Sequence, residues 1–268
     1  MQLTDTWRDV FPPDILERFA FAESRSASAI ARATSPRAVE DLVEALRAFE
    51  LTVEKIATPG GNKSVVAKEL DEAFRIRGWR EARYDQTLTT SLTVSNWGGP
   101  SIRDAPPAPT PTTNEYGGHK IDNVLGRAAV DVEWNPKDGN LDRDFGNYSS
   151  LHDGGAIDVG VILTRDGTEF PAFAHDLIAR VKKLTLDDGS DWSRRMAKLA
   201  DEPYKTSTTS NFQRLVTRIE RGDGRGCPIL AIGITTRAFT HPVDGLEAEV
   251  ARLQASSSTT SGPEGPRE

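Results

Sequence analysis

Residues 119–135 read HKIDNVLGRAAVDVEWN, and this stretch decides the fold. Val124, Leu125, Val130, Val132 and Trp134 flank Gly126-Arg127 as strand-forming, apolar residues. Two such runs around a glycine-containing turn predict a β-hairpin. One strand carries Asp122; the next carries Asp131 and Glu133. Side chains alternate along a strand, so Asp131 and Glu133 share a face, and the hairpin brings Asp122 beside them. Carboxylates crowded on one face repel each other. They are either the solvated side of an amphipathic hairpin or oxygen ligands for a divalent cation.

Outward from the hairpin the chain alternates helical and strand-like segments. Residues 14–57 repeat apolar positions at three- and four-residue spacing and are expected to be helical, with Ser35-Pro36 opening a second helix. Thr58-Pro59-Gly60-Gly61 breaks the chain. A helix follows over about 63–77, its apolar face holding Val66, Leu70, Ala73 and Phe74, with Glu69 beside that face. Residues 82–94 read as a strand, and the proline- and glycine-rich segment 98–113 as a loop. Beyond the hairpin, residues 135–155 are polar, with a short helix expected around 143–152. AIDVGVILT, 156–164, is a buried type of strand. Helices are expected near 174–184, 190–200 and 211–221, and a last strand at PILAIGITT, 228–236. This order implies an α/β fold with a mixed central sheet flanked by helices. One domain over 1–254, with a helical part over about 1–57, and a disordered tail over 255–268 are expected.

Composition narrows the class. The chain has 268 residues, 37% hydrophobic and 27% charged, enough to bury a substantial core. No apolar run is long enough to span a membrane, and the N-terminus lacks a signal-peptide pattern, so a cytoplasmic setting is expected. A single cysteine, Cys227, excludes an internal disulfide and a cysteine-rich zinc site. The four histidines, at 119, 152, 175 and 241, lack metal-ligand spacing. A net charge of −7 argues against a nucleic-acid partner when taken whole, yet clustered acids inflate it and a separate basic face can still meet phosphate.

An acid, about nine residues, then acid-spacer-acid is a pattern with a chemical use. Phosphodiester hydrolysis needs a cation to offset developing charge and to activate water. The pattern resembles the PD-(D/E)xK nuclease core, although the first acid follows isoleucine, the second is Asp and the third is Glu. The runs KSVVAKELDEAFRIRGW, HKIDNVLGRAAVDVEWN and GAIDVGVILTRDGTEFPA together resemble the BglII and BamHI group of type II restriction endonucleases, over about residues 60–175. That group includes members without lysine at the third position, which accommodates Glu133.

The resemblance implies a restriction-endonuclease-like core and Mg²⁺-dependent, site-specific cutting of both strands of duplex DNA, in a restriction-modification setting. It implies that Asp122 and Asp131 hold the metal with the Val132 carbonyl, and that Glu133 positions or deprotonates water. Glu69 is the first candidate for a further upstream acid and Glu81 the second. A palindromic site implies a homodimer, and defence implies a DNA methyltransferase from a separate gene. DNA contacts are expected from Asn135, Lys137, Asn140 and Arg143 after the catalytic strand. The loop with Lys205, Thr208, Ser210 and Asn211 and the helix face with Arg214 and Arg218 offer further donors, as does Arg237. Two other readings stand beside this one: a repair or structure-specific nuclease of the same superfamily, and a non-catalytic acidic α/β binding protein.

Overall fold

The computed structural model describes residues 1–58, 64–93, 108–135, 137–200, 204, 209–240 and 245–258. Among the described residues seven strands form one sheet: β1 Leu3–Thr4, β2 Phe19–Ser24, β3 Arg80–Leu92, β4 Thr110–Leu125, β5 Ala128–Glu133, β6 Val159–Arg165 and β7 Ile229–Ile234. Their spatial order is β1-β2-β7-β6-β5-β4-β3. The central trio β5, β6 and β7 is parallel, and the strands on either side of it are antiparallel. The helices are α1 Trp7–Val10, α2 Pro13–Leu16, α3 Ala27–Thr34, α4 Pro36–Ala48, α5 Val53–Ala57, α6 Val65–Ile76, α7 Asp138–Asp153, α8 Phe170–Leu184, α9 Asp191–Lys198, α10 Phe212–Arg221 and α11 Leu246–Ser258. No helix among the described residues is long and apolar enough to cross a membrane.

The parallel trio is buried along its whole length except at Glu133. Alternation divides its side chains between two cores. Val130, Val132, Val161, Leu163, Leu230 and Ile232 face one core, with Val66, Leu70 and Phe74 of α6 and Leu177 and Ile178 of α8. Ala129, Ile162, Ile229 and Ala231 face the other, with Leu141, Phe145 and Tyr148 of α7 and Leu215 and Ile219 of α10. Two glycines let the second pair of helices approach closely: a Cβ on Gly160 would lie 2.2 Å from the Tyr148 ring, and one on Gly233 2.8 Å from Phe212.

Helix starts follow local chemistry. Ser64 caps α6 through the Ala67 N–H, Ser190 caps α9 through Ser193, and Asn211 caps α10 through Arg214. Gly222, at φ 86°, closes α10 in the left-handed region that glycine tolerates.

Four expectations change. The N-terminal part is not purely helical, because Phe19–Ser24 is a strand paired with β7. Its run FAFAES fits both periods, and tertiary pairing across the sequence selects the strand. The polar segment after the hairpin holds a helix of sixteen residues, α7, longer than the one expected. Residues 255–258 belong to α11, where the Ser257 hydroxyl accepts from Trp192 N–H and Gln254 bonds both backbone groups of Leu186. Of the loop expected over 98–113, residues 110–113 are strand, and most of the remainder lies outside the described residues.

Candidate active site

The hairpin forms as its sequence predicts. Leu125 pairs with Ala128, Val124 with Ala129 and Asn123 with Val130, leaving Gly126-Arg127 as a two-residue turn with Gly126 at φ 59°. The ladder stops there. The Asp122 N–H instead donates to Asp131 Oδ1 at 2.8 Å. On its other side β4 shifts register against β3 between the Arg80 and Ala82 pairings. Asp122 therefore sits at an irregularity that re-aims a side chain, at the point where β4 leaves β5.

Asp131 and Glu133 lie on the face covered by α7, as period-two alternation requires. The Tyr148 hydroxyl reaches Asp131 Oδ2 at 2.7 Å and the Val161 carbonyl at 3.0 Å. Helix α7 adds a fourth acid that the sequence reading did not single out. Asp144 is buried; one oxygen takes hydrogen bonds from Arg143, while Oδ2 accepts none. Arg143 also stands 4.0 Å from Glu133.

The electrostatics are those of a crowded, half-dry acid cluster. Burial, and then the Asp144 charge, push the Asp131 carboxyl up to about 7. Burial, then Asp131 and Asp122, raise Glu133 to about 7. Burial, then Glu133, raise Asp144 to about 7. Arg143 opposes the rise at Glu133 and Asp144 without cancelling it. The Tyr148 hydroxyl is driven well above its ordinary value by burial and then by Asp131, so it stays a donor. As placed, no three His, Cys, Asp or Glu among the described residues converge as ligands on one point. The donor chemistry nevertheless suits a hard cation: the groups are all carboxylates, they raise one another, and one buried oxygen has no donor.

The other expected site residues scatter. Glu69 is not with the acids. Its helix, α6, covers the opposite face of the sheet, and its carboxylate pairs with Lys55 at 2.6 Å. Glu81 is exposed and 3.9 Å from Lys120. The α6 acid nearest the hairpin is Asp71, which accepts from Asn123 at 2.7 Å. The Val132 side chain is in the core, paired in register with Leu163. Arg143 turns toward the acids. Ser210 is fully buried, and Asn211 is spent on the α10 cap. Arg218 is buried and paired with Asp142 of α7 at 2.7 Å, so α10 does not present an open arginine face. Asn135, Lys137 and Arg237 are exposed and Asn140 partly so, at the edge where β5, β6 and β7 all end. Lys205 and Thr208 lie outside the described residues.

That edge is organised by a second residue absent from the sequence reading. Arg165, fully buried, donates to Asn135 Oδ1, the Asp166 and Tyr204 carbonyls and Thr209 Oγ1. Lys137 and Thr209 are joined by a β-bridge. Asp166 in turn accepts from the backbone of Thr168, Glu169 and Phe170 and from Gln213, which fixes the start of α8.

Residues 19–234 match the family described as Restriction endonuclease BglII/BglIII. The chain belongs to this family. As a BglII/BglIII-type restriction endonuclease it is a type II endodeoxyribonuclease, a hydrolase that binds double-stranded DNA, and its sheet and flanking helices are those of a restriction-endonuclease-like core. No curated protein sequence matches the chain.

Proposed function

We propose that the enzyme hydrolyses phosphodiester bonds in both strands of a short palindromic DNA site with Mg²⁺, at the cluster built by Asp122, Asp131 and Glu133. The observation that carries this reading is the geometry of the hairpin face, where the Asp122 N–H donates to Asp131 Oδ1 at 2.8 Å and Arg143 lies within 4.0 Å of both Glu133 and the buried Asp144; crowding and burial push the carboxyls there up to about 7. Such a group is costly to fold unless charge from outside completes it.

Asp122 and Asp131, with the Val132 carbonyl, would hold the cation, which when bound supplies positive charge to the phosphate and acidifies water. Tyr148 and the Asp122 N–H fix the two oxygens of Asp131, so its carboxylate is oriented before any ligand arrives. Glu133, half-buried at the end of β5, orients the attacking water and takes its proton at the side-chain carboxylate. A carboxyl near 7 is matched to that task at neutral pH. Glu69 has no part in this chemistry.

DNA would approach the edge where the parallel strands end. Lys137 and Arg237 offer charge to the backbone there, and Asn135 and Asn140 offer hydrogen-bonding groups. A palindrome read by one chain per half-site requires a homodimer. The setting is a cytoplasmic restriction-modification system with a separately encoded methyltransferase.

The test is incubation of the purified protein with phage and plasmid DNA, with and without Mg²⁺. Discrete fragments that need Mg²⁺ and disappear in the Asp122→Ala variant are expected. A variant that cuts as well as the parent removes the assignment.

A further inference from the structure

Arg165 ends β6, in the middle of the edge where the parallel strands stop, and it is 1% exposed. Among the described residues its donors meet neutral oxygens alone. Nε donates to Asn135 Oδ1 at 3.2 Å, and Nη2 to Thr209 Oγ1 at 3.4 Å and the Tyr204 carbonyl at 3.2 Å. Nη1 donates to the Asp166 carbonyl at 3.3 Å. The Asp166 carboxylate is engaged elsewhere, by the backbone at the start of α8 and by Gln213. Arg214 adds positive charge nearby.

A guanidinium carries donors and no acceptor, so an amide or hydroxyl that meets it must turn its oxygen inward. Asn135 is exposed, and with Oδ1 held by Arg165 its N–H₂ group faces outward, where no acceptor among the described residues takes it. Thr209 likewise keeps its oxygen inward and its hydroxyl proton for another acceptor. Lys137 is exposed, is joined to Thr209 by the β-bridge, and adds an ammonium that can only donate.

We propose that Arg165 is a positioning residue: it aims Asn135 and Thr209 so that, with Lys137, they form an all-donor subsite for one backbone phosphate of the DNA. The inference rests on the DNA edge of the proposed function and narrows it, assigning Asn135 to phosphate. Phosphodiester oxygens accept only and carry charge, so they match a set of donors. A base pair presents donors as well as acceptors in the major groove and does not. The buried charge of Arg165, met by no carboxylate, lies beneath the subsite and favours an anion there. Asn135 follows Glu133 by two residues, which puts this phosphate next to the acids.

The test is binding of the full chain to duplexes of unrelated sequence, read by fluorescence anisotropy at low salt without divalent metal, so that cleavage does not enter. Asn135→Asp keeps an oxygen on Arg165 but has no N–H₂ to offer. Its affinity is expected to fall about 10-fold or more, alike for every duplex. Its melting temperature is expected to hold or rise, because the buried guanidinium gains a charged acceptor. Arg165→Lys keeps the charge and loses the fork, and is expected to weaken binding about 5-fold. In an Asn135→Ala/Thr209→Val chain the same Arg165→Lys change is expected to cost nothing more. A further loss there makes Arg165 a structural group and overturns the positioning role. Unchanged binding by Asn135→Asp overturns the subsite and leaves the hairpin assignment, which Asp122→Ala tests by cleavage, standing. A loss confined to some sequences makes Asn135 a base reader and overturns the phosphate assignment.

Discussion

Asp131 and Arg218 are both ionisable and both almost completely buried, on the same face of the sheet, yet they belong to opposite kinds of region. Arg218 is answered at 2.7 Å by Asp142, and the pair straps α10 to α7. Around Asp131, Arg143 reaches Glu133 and Asp144, and three carboxyls are raised to about 7. Burial with compensation holds helices together. Burial without it stores a demand for charge that a ligand can meet. Arg165 extends the contrast: its fork is spent on loop oxygens, and it serves the geometry of the edge.

The contrast is broken most directly at Asp131. Asp131→Asn keeps the shape and the Tyr148 contact but removes a charge; cleavage is expected to fall about 1000-fold or more while the melting temperature holds or rises. A parallel fall in stability would make Asp131 a structural group. The next effect is in pH. Asp131, Glu133 and Asp144 keep their protons up to about 7 in the folded chain and lose them near 4 when unfolded. Between those values the folded state binds more protons, so the metal-free protein loses stability as pH rises from about 4 to about 7. The loss is on the order of a few kcal/mol, less than the sum of three separate groups because their protons are coupled. Thermal melts should show it, and Mg²⁺ should recover it near pH 8 but add little near pH 5.

Tyr148→Phe leaves Asp131 with one of its two anchors. The Mg²⁺ concentration for half-maximal cleavage is expected to rise about 10-fold or somewhat more, with little change in the rate at saturating metal. Arg218→Met should do the reverse, costing about 1–2 kcal/mol in denaturant unfolding while cleavage by the folded fraction is unchanged. The smallest effect is at Lys137→Ala, where DNA affinity weakens modestly and the slope of log affinity against log salt drops by about 1, as for one lost phosphate contact.

The hairpin was legible because two periods coincide there: apolar alternation marks its strands, and the same alternation places Asp131 and Glu133 together. The buried strand 159–165 and α6 were legible for similar local reasons. Asp144 was not, because its signal is helical. It stands three residues after Leu141 and four before Tyr148, a stripe hidden by the surrounding Asp, Asn and Gly. Reading that spacing through 138–153 would have put an acid on a buried face, which is itself a flag. The arginine face of α10 failed for the converse reason. Spacing shows which residues align on a helix but not that Asp142 lies opposite. The strand 19–24 was missed because its partner is more than two hundred residues away.

That separation sets the order in which the enzyme can be made. Strand β7 is inserted between β6 and β2, and β1 hangs on β2 alone. Until residues 229–234 leave the ribosome, the first strands of the chain have no sheet to join, and β6 has one bare edge. The acid-bearing hairpin is a local structure available early, whereas the platform beneath it closes last and slowly, across a very long loop. A chain that has not reached β7 therefore carries its acids on an unfinished scaffold, and the sheet is complete only once that strand has emerged.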